Sequence, residues 1–138
     1  MNRPAFFDTN ILVYTDDEDF PEKQKRALDL FESYRTSNLA ILSLQVLQEY
    51  FVTATRKLGI DAEHAQRKVE VLARGRVIRF TERDVIASIE LHRLEHISFW
   101  DAMIVHAARI AGAEILYTED LKHGSVLGGV SIVDPFLL

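Results

Sequence analysis

The chain contains no cysteine, and that single absence excludes disulfides, thiolate zinc sites and cysteine nucleophiles together. Any metal must therefore be held by oxygen or imidazole. Long apolar runs are also missing. The opening stretch Ala5-Phe6-Phe7 is cut short at Asp8, well before a secretory core or a membrane span could form, so a soluble cytoplasmic protein with no membrane association is expected. Positive charge is in deficit, with a net charge of −5. A protein that coats nucleic acid through long-range attraction to phosphate is thereby disfavoured. An enzyme acting on nucleic acid is not, because bound cations reverse the field that clustered acids create. Gly59, Gly75, Gly112, Gly124, Gly128 and Gly129 fit neither G-x-G-x-x-G nor Walker spacing, which argues against nucleotide-driven chemistry.

What is present is the composition of an ordinary globular protein, 48% apolar and 27% charged over 138 residues, and no repeat, low-complexity tract or linker divides it. One domain spanning 1–138 is expected. Short apolar runs alternate with helical patterns along the chain. Candidate strands lie at 5–7, 39–42, 77–80, 114–117 and 130–133, each bounded by polar or turn residues. Helices are expected near 21–36, opened by Pro21, and after the capping residues Ser43, Asp61, Thr81 and Ser98. Such alternation predicts an α/β fold, a three-layer α/β/α sandwich around a mostly parallel sheet of about five strands. In sheets of that kind function collects at the carboxyl ends of the strands.

Four acids are expected near that end. Asp8 closes the first strand, and Asp120 follows the strand 114–117 after Thr118-Glu119. Glu49 lies one and a half turns into the helix after Ser43, and Asp101 sits in the nearly all-apolar stretch 99–108. A carboxylate on a buried helix costs several kcal/mol unless compensated, of order 2–7 even for neutral polar groups. Each acid also has a bland reading: Asp101 completes a capping box with Ser98, Glu49 is a solvated helix residue, Asp8 caps Asn10-Ile11-Leu12 and Asp120 is a turn residue. Four carboxylates side by side, however, stay ionised only if cations hold them. An all-oxygen set selects magnesium or manganese, and the chemistry such ions serve best is hydrolysis at phosphorus.

Other features point elsewhere. His92-Arg93-Leu94-Glu95-His96 matches the H-x-x-E-H pattern of inverted zinc proteases, but two histidines at a helix end are also favourable to its dipole. Arg74, Arg76, Arg79 and Arg83 read as a solvated face, whereas Lys122 and His123, next to Asp120, are better placed to touch substrate phosphates. Phe99 and Trp100 read as core residues. A phosphoacceptor signalling domain needs paired acids at the first strand end, where this chain has Asp8-Thr9-Asn10 and only later Asp16-Asp17. A catalytically idle interaction module has no physical reason to keep four uncompensated acids.

With these residues in view, the sequence resembles the PIN-domain nucleases, and among them the VapC-like toxins of toxin–antitoxin pairs. The resemblance rests on the segments 6–14, 43–51, 97–105 and 115–121, which carry the four acids in turn, and extends to the closing segment 129–136. It implies a PIN-like sheet flanked by helices, magnesium or manganese in the acidic pocket, and endonucleolytic cleavage of RNA. It further implies a homodimer and a small antitoxin protein that blocks the site. On this reading Asp8 and Asp101 bind metal directly, while Glu49 and Asp120 hold a second ion or its waters. Asn10 and Thr118 orient carboxylates, Ser43 supports the helix bearing Glu49, and either Asp120 or Glu119 completes the pocket.

Overall fold

Strand β1 (Ala5–Phe7) lies in the middle of the sheet, with all three residues buried. Successive strand side chains point to opposite faces, so burial of every one means that both faces are covered. In the computed structural model, which describes residues 3–137, Phe7 packs edge-on against Phe31 and Tyr34 of helix α2 (Pro21–Thr36). Phe6, facing the other way, is equally inaccessible. Each such side chain contributes about 1.5–3 kcal/mol by its burial.

From β1 the chain passes through α1 (Thr9–Tyr14) and α2 to β2 (Ala40–Ser43), then through α3 (Leu44–Arg56) and α4 (Ala62–Leu72) to β3 (Arg76–Ile78). Helices α5 (Glu82–Glu95) and α6 (Phe99–Ile110) then lead to β4 (Ile115–Tyr117), β5 (Val126–Leu127) and β6 (Val130–Val133). A short 3-10 turn, Pro135–Leu137, follows. The strand order is β3-β2-β1-β4-β6-β5, parallel throughout except for β5. The fold is thus a mostly parallel sheet flanked by helices. No helix among the described residues is long and apolar enough to cross a membrane.

Local chemistry fixes the helix starts. Asp8, Ser43, Asp61 and Ser98 each accept a backbone N–H as N-cap, satisfying donors that a helix otherwise leaves open. Asp84 reaches back to the Thr81 N–H at 2.9 Å, as its spacing predicts.

The expected fold class holds with one short strand added, and two finer sequence expectations need correction. The sheet has six strands, because Gly128 and Gly129, with φ of 54° and 81°, turn β5 back onto β6. Positive φ at both central residues is the signature of the two-residue hairpin turn that Gly-Gly favours. The third strand ends at Ile78 rather than 80, and Phe80 instead packs on the His106 ring, 5.3 Å between centroids. Trp100 is not core but 61% exposed: burial of α6 begins two residues later, at Ala102, and continues through Ile104, Val105 and His106–Ala108.

Candidate metal centre and active site

The first three strands run outward from β1 on one side, and β4 and β6 lie on the other. The β1/β4 boundary is therefore the point at which strand order reverses, where α/β sheets open a crevice at the strand ends. Asp8 and Thr118 sit there, one residue beyond the register pair Phe7–Tyr117. The Asp8 N–H continues the ladder to the Tyr117 carbonyl at 3.0 Å, so its side chain is held by sheet geometry.

Asp8 is 4% exposed. Its Oδ1 accepts the Thr9 N–H at 2.7 Å, and its Oδ2 accepts the Thr118 hydroxyl at 2.8 Å. Asp101 enters from the first turn of α6, where Ser98 Oγ accepts its N–H at 3.0 Å. Asp120 follows β4, its N–H donating to Thr118 Oγ1 at 3.0 Å and its Oδ2 accepting Asn10 Nδ2 at 2.9 Å. One carboxylate oxygen from each of Asp8, Asp101 and Asp120 lies within 4.8 Å of the others. Chain segments more than ninety residues apart thus meet in one acidic centre.

Glu49 stands outside that triplet but lines the same cavity of about 490 Å3. The Thr9 hydroxyl donates to its Oε1 at 2.7 Å and the Gln45 amide to its Oε2 at 3.3 Å. Glu119 is turned away from the triplet, accepting from the Tyr14 hydroxyl at 2.6 Å and Lys23 Nζ at 2.8 Å. Of the adjacent pair, Asp120 is therefore the one that joins Asp8 and Asp101. Ser43 is buried as the α3 cap and acts on the site only through Glu49's helix. Lys122 and His123 are exposed and outside the cavity lining; His123 Nδ1 accepts the Asp134 N–H at 3.0 Å.

Electrostatics agree with the geometry. Burial pushes the Asp8 carboxyl up to about 7, against hydrogen bonds from Thr118 and Thr9 that lower it, and the charges of Asp120 and Glu49 raise it further. Asp101 is likewise raised, first by burial and then by Asp120 and Glu49, with Ser98 opposing. Among the described residues no lysine, arginine or histidine pairs with Asp8, Glu49, Asp101 or Asp120; nearby Lys23 and Lys68 are engaged by Glu119 and Asp16. An uncompensated all-oxygen triplet with one buried member fits a hard divalent cation. The exposed His92 and His96 join no comparable cluster among the described residues.

Several contributors escaped the sequence reading. Thr9 and Gln45 hold Glu49, and Gln45 stands four residues before it, a helical spacing that can be read from sequence. Lys23, which takes Glu119 out of the cluster, lies 96 residues away and leaves no local signal. Trp100 forms part of the cavity wall.

Comparison with solved structures finds the fold in a toxin–antitoxin complex from Klebsiella pneumoniae, with TM-score 0.70 and 24% identity, covering 95% of this chain and 97% of that one. DNA-bound VapBC from Salmonella typhimurium gives TM-score 0.69 and 19% identity over 96% and 98%. VapC20 of Mycobacterium tuberculosis, described as a Sarcin-Ricin loop cleaving toxin, gives 0.65 and 21% over 84% and 89%. At these identities the likeness is one of fold. No curated protein matches the sequence. The family model for the PIN domain matches residues 5–126, which takes in strands β1 to β4 and all four acids, and the chain belongs to the PIN domain family.

Proposed function

We propose that the chain is a magnesium- or manganese-dependent endoribonuclease and the toxin of a toxin–antitoxin pair. The observation that carries this reading is the convergence of Asp8, Asp101 and Asp120 within 4.8 Å at the β1/β4 crevice, with none of the three in a salt bridge among the described residues. Asp8, Asp101 and Asp120 would hold the ion, which when bound polarises a phosphodiester and favours ionisation of the attacking water.

The chain's own residues do the rest. Thr118 and the Thr9 N–H hold both oxygens of Asp8 in fixed directions, and Asn10 holds one oxygen of Asp120, Oδ2. Thr9 fixes Glu49 Oε1, leaving Oε2 with only the longer Gln45 contact and free to take a proton from water entering the cavity. Substrate orientation then depends on the cavity walls.

The toxin role is supported by the toxin–antitoxin and VapBC complexes among the similar folds, and RNA as substrate by the description of VapC20. An antitoxin that covers the acidic cavity, a homodimer and a cytoplasmic location belong to the same proposal.

The test is cleavage of RNA by the purified chain in magnesium or manganese, with and without chelator, alongside Asp8→Asn and Asp101→Asn. Cleavage is expected to vanish with chelator and fall at least a hundredfold in either variant, on the scale of losing a principal electrostatic group. Undiminished cutting under either treatment rules the reading out.

A further inference from the structure

Trp100 is the chain's single tryptophan, and its exposure has no role in the chemistry above. It stands in the first turn of α6, 61% exposed, beside Asp101 and on the wall of the cavity that holds Asp8 and Asp120. Its surroundings are nevertheless ordered. Phe99 packs against the indole with ring centroids 5.1 Å apart and planes at 68°. Gln45 Nε2 donates to the Trp100 carbonyl at 3.3 Å while also reaching Glu49, so the turn bearing the indole is tied to an acid of the site.

The cavity therefore has two characters. Its floor is anionic, and its wall carries Val13, Val52 and Ile104 as well as Trp100. Cation and phosphate need only the floor. An apolar wall with a supported indole suits a planar nucleobase, because stacking on an aromatic face needs no charge and every base has such a face. Charge sharpens the argument: among the described residues, Lys57 is the one cationic side chain in the lining of a protein with net charge −5. Apart from the ion, few positive charges attract the RNA backbone here, so contacts to the bases carry more of the affinity.

We propose that Trp100 forms a subsite on which an unpaired nucleobase flanking the scissile phosphodiester stacks. This rests on the nuclease reading above. In an A-form duplex the base faces are occupied by neighbouring bases, whereas loops and single strands offer them to aromatic side chains.

A lone tryptophan makes intrinsic emission a direct reporter of the subsite. The full chain in magnesium is mixed in a stopped-flow cell with an unlabelled single-stranded hexanucleotide, or with a blunt duplex of the same sequence, and binding is followed in parallel by anisotropy of end-labelled RNA. Saturable quenching by the single strand, and little by the duplex, is expected. Trp100→Ala should raise KM for single-stranded RNA on the order of tenfold with kcat within about twofold, the scale of one base–aromatic stack, and Trp100→Phe should restore most of it.

Unchanged emission while anisotropy reports bound RNA overturns the subsite, as does a parental KM in Trp100→Ala. Emission that follows protein concentration instead of RNA overturns it too, assigning the indole to a contact between copies. If the parent chain neither binds nor cuts RNA in magnesium or manganese, the nuclease reading fails and the subsite falls with it; if RNA is bound and cut but the tryptophan is silent, the subsite alone fails.

Discussion

The wholly buried hydroxyl of Thr118 donates to Asp8 Oδ2 over 2.8 Å and accepts the Asp120 N–H over 3.0 Å, so one atom links two acids of the centre. Thr118→Val keeps the shape and removes both interactions. Manganese affinity measured by titration calorimetry should fall about 10–100-fold, as when the groups that orient metal ligands are lost. Urea denaturation should show a loss of about 1–3 kcal/mol from the unsatisfied buried groups. Parental affinity in the variant would mean that the hydroxyl does not orient the site.

Stability of the metal-free protein should fall as pH rises. The Asp8 carboxyl goes from 3.8 in the unfolded chain to about 7 in the fold, so the native state holds the proton more tightly. Its contribution is complete below 3.8 and is lost as pH climbs through about 7. At about 1.4 kcal/mol per pH unit the loss is on the order of 4 kcal/mol, and the raised Asp101 acts in the same direction. Denaturation in chelator at pH 5 and pH 8 should therefore show a drop that Asp8→Asn largely removes. Equal pH slopes in parent and variant contradict the burial argument.

Adjacent acids should behave differently. Asp120 contributes an oxygen to the triplet, whereas Glu119 is bound to Lys23 and Tyr14. Asp120→Asn should weaken manganese binding at least tenfold, while Glu119→Gln changes it by less than about threefold, a scale set by loss of a ligand against loss of a partly exposed ion pair. The reverse order in calorimetry would exchange the two assignments.

Much of this arrangement was legible because it is local. Ser43, Asp61 and Ser98 cap helices by contacts within three residues, and the ends of apolar runs mark strand termini where Asp8 and Asp120 stand. Misreadings arose where tertiary placement overrides a local rule. A tryptophan in an apolar helix ordinarily packs inward, but Trp100 precedes the first buried turn of α6, at the rim of the sheet. The Gly128-Gly129 turn carried a hairpin signal, but the strand it closes is only two residues long. Choosing between Glu119 and Asp120 required Lys23, which no pattern near residue 119 reveals.

Helix α6, which carries Asp101, is tied to α5 by a buried contact. His106, 5% exposed, has Nε2 2.9 Å from Asp84 Oδ1 and Nδ1 2.7 Å from Arg109 Nη2. The Thr81 N–H and then His106 hold the Asp84 carboxyl below its usual range. Asp84→Ala removes the reach back to Thr81 and leaves His106 Nε2 without its partner, at a cost of about 2–3 kcal/mol in urea denaturation. Asp84→Asn, which still accepts from Thr81, should lose less. Equal losses would show that the Thr81 contact contributes nothing.

The account depends most on a single cation-binding centre formed by carboxylates from three distant segments. Anomalous diffraction from crystals equilibrated with millimolar manganese tests it directly. A peak in contact with oxygens of Asp8, Asp101 and Asp120 is the predicted result; no peak there, or manganese bound only elsewhere, contradicts it.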